Sequence, residues 1–368
     1  MRISNIQQGF FNIPLKSFLG RTTPILKQNN RQDTVSFSAG TGAEGSKMRK
    51  NLRGLNCPCC GIKMLSARDL KKALILPPDA PSEEVIACLT PYEEQMHSVE
   101  QNVFNILQFL STVHPKKNLR ELLDTVRDKH LEELHAEERK VIDRIRNVGT
   151  FLNEKDQEKL NITLNEAEDL IINGNYDAVF ARRAFIGKIG DVTADFKQKD
   201  IADTIFEISH ELPRAGTSVS AFVVKYSEPN LITKKERNSH DIIQGLLSPS
   251  IATIEHVKAR SPLAPNGGGE NKMSNYILEC ARDNNMRECM PFRDFVKNNP
   301  QFYGEHLQRY IDAIITRLNN GELKGFERYP LQISRTLRRQ SKGKIRLDIS
   351  NLKLPEKKEP KYYKMPKS

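Results

Sequence analysis

Residues 250–292 constrain the fold of this chain more than any other stretch. A first apolar run at 251–254 is rich in β-branched residues and predicts a short strand. An open loop at 262–270, which contains Pro and Gly, follows it, and a second apolar run lies at 276–278. The polar residues beyond 280 then lead into a helix. The ordered set of strand, loop, apolar run and helix is far more restrictive than any one of its parts.

Polar residues lie at the boundaries between these segments. Glu255 and His256 follow the first apolar run, Asn275 directly precedes the second, and Cys280 leads into Asn284. This order resembles the ββα-metal nuclease motif of the HNH endonuclease family. Members of that family use a strand pair and a helix to hold one divalent cation against the phosphate that is cleaved.

The resemblance implies a role for each of these residues. Glu255 and Asn284 are expected to bind the cation, because carboxylate and amide oxygens suit Mg²⁺ or Mn²⁺. His256 is expected to act as the general base that takes a proton from water. Asn275 is expected to pin the loop through backbone hydrogen bonds. Arg287 matches a basic position common in the family and is expected to contact phosphate.

Three of the six cysteines lie within four positions, which suits a metal knuckle better than a disulfide framework and favours a reducing cytoplasm. Cys57-x-x-Cys60-Gly61 is typical of a zinc-knuckle turn, in which glycine lets backbone amides face the thiolates. The resemblance implies a second pair of ligands at the closing helix, which completes a structural Zn²⁺ site. In this chain that pair consists of Cys280 and Asp283.

The second half of the zinc site departs from the family pattern, which has two cysteines. Asp283 replaces one of them, and a carboxylate is a harder and weaker zinc ligand than a thiolate. Cys59 or Cys289 is therefore an alternative fourth ligand. A metal-free knuckle, packed as small hydrophobic residues, is an alternative to zinc binding altogether.

Spacing predicts that the nuclease-like core is split. About 190 residues separate Cys60 from Glu255, whereas the corresponding residues of compact HNH domains are a few tens apart at most. An insertion of this length is tolerable, because the entropic cost of closing a loop grows slowly with its length. The predicted fold class is α+β and predominantly helical, with a small zinc-knuckle ββα core and a large α-helical insertion. The predicted segments are a disordered tail at 1–46, core parts at 47–65 and 247–295, the insertion at 66–246, a basic helical segment at 296–346, and a disordered Lys- and Pro-rich tail at 347–368.

Hydrophobic periodicity predicts helices through most of the chain beyond residue 66. The clearest is a long amphipathic helix at 117–148. Further helices are predicted at 91–112, 155–173, 176–188, 198–212, 234–246 and 292–320. Residues 217–226 are compatible with a strand or a helix. The long amphipathic face leaves open a protein partner that binds through the insertion.

The net charge of +11 and the pI of about 9.3 favour a polyanionic partner, because cations release the counterions of a phosphate backbone. DNA is the expected partner, with phosphate contacts from Lys258, Arg260, Arg338 and Arg339. Trp is absent and aromatic residues make up 7%, which argues against an aromatic stacking platform. No apolar run approaches the ~20 residues of a membrane span, so no membrane partner is expected.

The sequence thus predicts a metal-dependent HNH-like endonuclease that hydrolyses DNA phosphodiester bonds. The alternative is a non-catalytic scaffold that binds nucleic acid or protein on a decayed HNH fold. Two departures from the family motivate the alternative: Asp283 in the zinc site, and Glu288, which stands where the family usually has a small residue.

Overall fold

A computed structural model of the chain describes residues 42–172, 178–230, 235–260, 267–287 and 290–353. Over these residues the protein is predominantly helical and has one two-stranded antiparallel sheet. None of the described helices combines the length and the apolar character that crossing a membrane requires. The chain divides into a helical unit, residues 67–250, and a split unit, residues 42–66 together with 251–353.

Two strands, β1 (Ala252–His256) and β2 (Tyr276–Cys280), belong to the split unit. Short 3₁₀ turns occupy Thr90–Gln95, Ser248–Ser250 and Met273–Asn275. The α-helices, in chain order, are α1 (Gly42–Asn51), α2 (Ala67–Ala73), α3 (Ser82–Leu89), α4 (Ser98–Val113), α5 (Leu119–Gly149), α6 (Glu154–Ile172), α7 (Ala178–Ala194), α8 (Lys199–Ser209), α9 (Val219–Ser227), α10 (Ser239–Leu247), α11 (Ala281–Arg287), α12 (Phe292–Asn298), α13 (Gly304–Asn319) and α14 (Tyr329–Gln340).

Helix α5 organises the helical unit and confirms the long helix predicted at 117–148. Asn118 begins it with a capping box: its side chain accepts the Glu121 amide, and the Glu121 carboxylate accepts the Asn118 amide. With 31 residues the helix is about 46 Å long. Its buried face carries mainly apolar side chains, among them Leu119, Leu122, Leu123, Leu134, Val141, Ile142 and Ile145.

The ambiguous segment at 217–226 is a helix, α9. The Ser218 hydroxyl accepts the Ala221 amide and so caps the first turn. Phe222, Val223 and Val224 are all buried, because α9 is covered on more than one side, and this explains why its apolar residues show no period.

Several predicted helix boundaries differ from the structure. The helices predicted at 91–112 and 234–246 begin only at Ser98 and Ser239, and helix α7 continues to Ala194, beyond the end predicted at residue 188. The helix predicted at 292–320 is two helices, α12 and α13, because the chain turns at Tyr303, whose φ of 69° is left-handed. Tyr303 is buried and its hydroxyl donates to Glu279 Oε1 at 2.6 Å, so a tertiary contact holds the turn.

The core of the split unit surrounds β2, whose five residues are all buried. β1 pairs antiparallel with β2, with Ala252 opposite Cys280 at one end and His256 opposite Tyr276 at the other. Two tyrosine hydroxyls satisfy further backbone groups of β2. The Tyr329 hydroxyl donates to the Tyr276 carbonyl at 3.0 Å, and the Tyr310 hydroxyl accepts the Leu278 amide at 3.3 Å. A strand with a single strand partner is thereby kept from exposing unpaired groups.

Helices from both ends of the split unit enclose this sheet. Their buried apolar residues form one cluster with β2, which includes Met48, Leu52, Phe295, Leu307, Ile311, Ile314, Ile333 and Leu337. The prediction of a disordered tail is wrong for residues 42–46, because α1 begins at Gly42. It is also wrong for 347–353, because Leu347, Ile349 and Leu352 pack against the cluster. Residues 1–41 and 354–368 lie outside the described residues.

The chain leaves the split unit and returns to it at neighbouring positions. Leu65 and Ile251 form a parallel bridge, and the Ala252 amide donates to the Leu65 carbonyl at 2.8 Å. The two ends of the helical unit are therefore joined to adjacent backbone of the split unit. An insertion whose ends meet in this way disturbs its host fold little.

Candidate functional site

Four potential metal ligands converge in the split unit: Cys57, Cys60, Cys280 and Asp283, whose donor atoms all lie within 4.8 Å of one another. The Sγ atoms of Cys60 and Cys280 are 3.9 Å apart, and Cys57 Sγ lies 3.1 Å from Asp283 Oδ2. Two thiolates on a tetrahedral zinc ion are separated by about 3.8 Å. The cluster could therefore hold a metal such as zinc.

Local backbone structure presents the first two thiols. The Cys57 amide donates to the Ile62 carbonyl at 2.7 Å, and the Gly61 amide donates back to Cys57 at 2.9 Å, which closes a tight turn. Gly61 has a φ of 80° and a Cβ there would collide with the His306 imidazole, so only glycine suits the position.

The other two donors lie where β2 passes into α11. Cys280 ends the strand, and Asp283 lies three residues on, in the first turn of the helix. The Cys280 amide donates to Cys57 Sγ at 3.4 Å. A backbone donor of this kind favours the thiolate form that binds metal.

The three thiols and the carboxyl group of the cluster are close together and largely buried, and this determines their protonation. Burial raises the pKa of Asp283 to about 7 and raises the pKa values of the Cys57 and Cys280 thiols. The hydrogen bond with Cys280 instead lowers the pKa of Cys60 to about 5. Charge thus concentrates on one thiolate, and a cation would permit the other donors to ionise as well.

The structure favours Asp283 over Cys59 as the fourth ligand. Cys59 is fully buried, its pKa is raised by burial, and it is not one of the four clustered donors. Cys289, the other alternative, lies outside the described residues, as does Glu288.

The Asn275 side chain forms hydrogen bonds with the loop that joins β1 to β2. Its Oδ1 accepts the Lys258 amide at 2.8 Å, and its Nδ2 donates to the carbonyls of Lys258 at 3.0 Å and Glu270 at 3.1 Å. One side chain therefore joins both ends of the loop. Gly269 passes so close that a Cβ on it would collide with the Lys258 carbonyl and lie 2.7 Å from Asn275 Nδ2.

His256 lies at the end of β1 and is half-buried. Its ring packs edge-on against Tyr276, with 4.8 Å between centroids, and its Nε2 lies 2.9 Å from Asn271 Oδ1. Because an amide oxygen only accepts, Nε2 carries the proton and Nδ1 keeps its lone pair. Burial lowers the pKa of His256, although the Asn271 hydrogen bond opposes the shift. A neutral imidazole of this kind can accept a proton at Nδ1.

Asn284 projects from α11 toward β1. Its Nδ2 donates to Thr253 Oγ1 at 2.9 Å and to the Ile254 carbonyl at 3.1 Å. A carbonyl can only accept, so these two bonds fix the amide orientation and direct Oδ1 away from the strand. The predicted metal ligand is thus positioned through its nitrogen, while its oxygen stays available as a hard donor.

Glu255 and Arg287 form an ion pair in which each residue is at most 3% exposed. The Arg287 guanidinium also donates to the carbonyls of His256 and Met290, the latter at 2.9 Å, and lies over the Phe292 ring. The prediction that Arg287 contacts phosphate is wrong in this structure, because the side chain points into the split unit and neutralises Glu255. No local pattern indicates this pair, because its members are 32 positions apart.

The side-chain oxygens of Glu255 and Asn284 could bind a hydrated divalent cation only if the Arg287 guanidinium moves away from Glu255. Glu255 is buried and its Oε1 contacts the Arg287 guanidinium, and Asn284 carries an amide oxygen beside the same strand. Carboxylate and amide oxygens are the donors that Mg²⁺ and Mn²⁺ prefer. Arg287 competes for the same carboxylate.

The basic residues expected to contact nucleic acid are accessible. Arg260, Arg338 and Arg339 are exposed, and Lys258 is half-buried. Sequence reasoning missed Asn271 as the partner of His256, because it lies in a Gly- and Asn-rich loop without periodicity. It also missed Lys342, which lines one groove with Lys258 and Arg339.

Comparisons of the chain with protein-family models, with curated proteins and with solved structures found no match.

Proposed function

We propose that the split unit is a zinc-stabilised endonuclease that hydrolyses phosphodiester bonds of DNA with the help of a divalent cation. The observation that carries the proposal is that Asn284 of α11 bonds to β1, the strand that ends in Glu255 and His256. Asn275, which holds the intervening loop closed, supports it independently.

In the proposed reaction His256 takes the proton from the attacking water at Nδ1. Asn271 keeps the ring in the required tautomer by accepting the Nε2 proton in a hydrogen bond. Since burial lowers the pKa of His256, the imidazole is neutral at neutral pH and able to act as a base.

Glu255 and Asn284 would hold the catalytic Mg²⁺ or Mn²⁺, which supplies positive charge to offset the charge that develops on the phosphate oxygens. Cys57, Cys60, Cys280 and Asp283 would hold Zn²⁺ as a purely structural ion. The four zinc ligands close the coordination sphere, as structural sites do, so no position is left for a substrate.

The Glu255–Arg287 ion pair favours a second candidate, a non-catalytic scaffold on the same fold. If the guanidinium holds the carboxylate permanently, no cation binds and the unit only recognises nucleic acid or protein. Titration with Mn²⁺ by calorimetry separates the two candidates. The nuclease requires a site that Glu255→Ala removes, whereas the scaffold gives the same heats with and without Glu255.

Cleavage of supercoiled plasmid with Mg²⁺ or Mn²⁺ tests the nuclease directly. The intact chain should nick the plasmid, and His256→Ala should lower the rate roughly 10²- to 10⁴-fold, the usual contribution of a general base. His114→Ala, a half-buried histidine of the helical unit, is the matched control and should cleave like the unchanged chain. Equal cleavage by the His256 and His114 variants, or none by the unchanged chain, would overturn the proposal.

A further inference from the structure

A basic groove of about 420 Å³ opens beside the β1 end of the split unit. It is lined by Lys258 and Gly267 of the loop between β1 and β2, by Arg293 at the start of α12, and by Arg339 and Lys342 at the end of α14. A shallower depression continues from it along α14. Three separate parts of the chain therefore bring cations to one concave surface.

The cations of α14 lack acidic partners. Arg335, Arg338 and Arg339 are exposed, the sequence of α14 contains no Asp or Glu, and the described part of the chain forms no ion pair with any of the three. The neighbouring helix α13 differs, because Arg309 pairs with Glu305 and Arg317 pairs with Glu322. Like charges held together without neutralisation favour a polyanionic ligand.

Asp294, the neighbour of Arg293 in α12, already accepts a hydrogen bond from it. Asp294 accepts from Arg293 Nε at 2.7 Å, and this bond lowers the Asp294 pKa, with a smaller contribution from Lys342. It therefore pairs with Arg293, whereas Lys258, Arg339 and Lys342 form no ion pair within the described part of the chain. Cations placed along one groove without ion pairs match the repeated charge of a nucleic acid strand.

Lys258 of the groove lies close to His256, the last residue of β1. It follows His256 by two residues, which separates the two Cα atoms by at most about 7 Å. The Lys258 backbone is fixed because its amide and its carbonyl both bond to Asn275. A phosphate bound at Lys258 would thus lie close to the phosphate at His256, in a position that the folded loop sets.

We propose that this groove binds the phosphate backbone of the DNA substrate on one side of the cleaved bond, independently of base sequence. The inference rests on the proposed nuclease function and adds to it a substrate-binding surface built by α12 and α14, outside the ββα elements. The cations of the groove bind charge and not base edges, which accounts for the lack of sequence preference.

Fluorescence anisotropy with a labelled duplex oligonucleotide tests the groove. The full chain carries His256→Ala throughout, so that the probe stays intact whether or not the parent cleaves. Replacing Arg339 and Lys342 by Gln removes two phosphate contacts. The slope of log K against log salt should then become shallower by about 1.8, and affinity at 0.15 M salt should fall about 30-fold. Two probes of unrelated sequence should respond alike.

The matched control replaces Arg309 and Arg317, the paired arginines of α13, by Gln. It removes the same charge and should leave the slope and affinity nearly unchanged. If both double variants weaken binding equally, the effect is one of net charge and the groove proposal is overturned. That result would not contradict the proposed nuclease activity, because cleavage is measured separately.

Two further outcomes count against the groove. If the parent binds no duplex, single-stranded DNA or RNA, the groove is not a nucleic-acid site. If a labelled poly-glutamate peptide binds in a way that depends on Arg339 and Lys342 while DNA does not, the groove serves an acidic protein partner instead.

Discussion

Replacing Asn275 by Ala should unlock the loop between β1 and β2. The side chain makes three hydrogen bonds, to the Lys258 amide and to the carbonyls of Lys258 and Glu270. At roughly 1 kcal/mol net for each bond, with water replacing part of the loss at the loop surface, we expect a local cost of about 2–3 kcal/mol. That corresponds to about a 30- to 140-fold loss of protection for the Lys258 amide.

Hydrogen exchange followed by mass spectrometry measures this opening directly. Peptides that cover the loop should exchange faster in Asn275→Ala, while peptides from α5 in the helical unit should not change. Asn285→Ala, an exposed asparagine on α11, is the matched control. If Asn275→Ala and Asn285→Ala exchange alike over the loop, the reasoning that one side chain joins both loop ends is refuted.

Metal removal, pH and one glycine test the remaining features. Because structural zinc supplies on the order of 10 kcal/mol, chelation should abolish the cooperative thermal transition of the split unit. Zinc content should fall in Asp283→Ala and stay unchanged in Cys59→Ala. The opposite result would make Cys59, and not Asp283, the fourth ligand. Burial lowers the His256 pKa below its ordinary value of 6.5, so the midpoint of the fall in cleavage rate with falling pH should lie below pH 6.5; a midpoint above 6.5 would contradict the assignment. The same shift makes the folded state lose stability as the pH falls below 6.5, because the unfolded chain then binds the proton more tightly. Gly61→Ala should lower the free energy of unfolding by about 1–2 kcal/mol because of its left-handed backbone, and by a further amount because its Cβ collides with His306. Adding His306→Ala should restore only the part that is due to the collision. Thermal unfolding measures both changes.

Sequence patterns predicted the elements that depend on local order. The apolar face of α5 follows from the spacing of its apolar residues, and the proximity of Cys57 to Cys60 follows from the knuckle turn. Both could therefore be predicted without a structure. The meeting of this turn with Cys280 and Asp283 was expected only through the resemblance to a known motif.

Contacts between distant segments could not be predicted. Arg287 occupies a position that suggested an exposed phosphate contact, and only the packing of α11 against β1 brings it onto Glu255. Likewise α1 lies in a stretch of low hydrophobicity, and its burial of Met48 depends on the core of helices from the other end of the chain. A pattern of residue types along one segment carries no information about a partner hundreds of positions away.

The division of the metal ligands between the two sides of the insertion has a consequence for biosynthesis. Cys60 and Cys280 are 220 positions apart. At a synthesis rate of ~5–20 residues per second, the second thiol leaves the ribosome about 10–45 s after the first. The helical unit is complete within that interval, while Cys57 and Cys60 wait beside an unfinished core. Cys57 and Cys60 therefore cannot meet Cys280 and Asp283 until β2 and α11 have been synthesised, and a metal could bind the complete cluster only after that point.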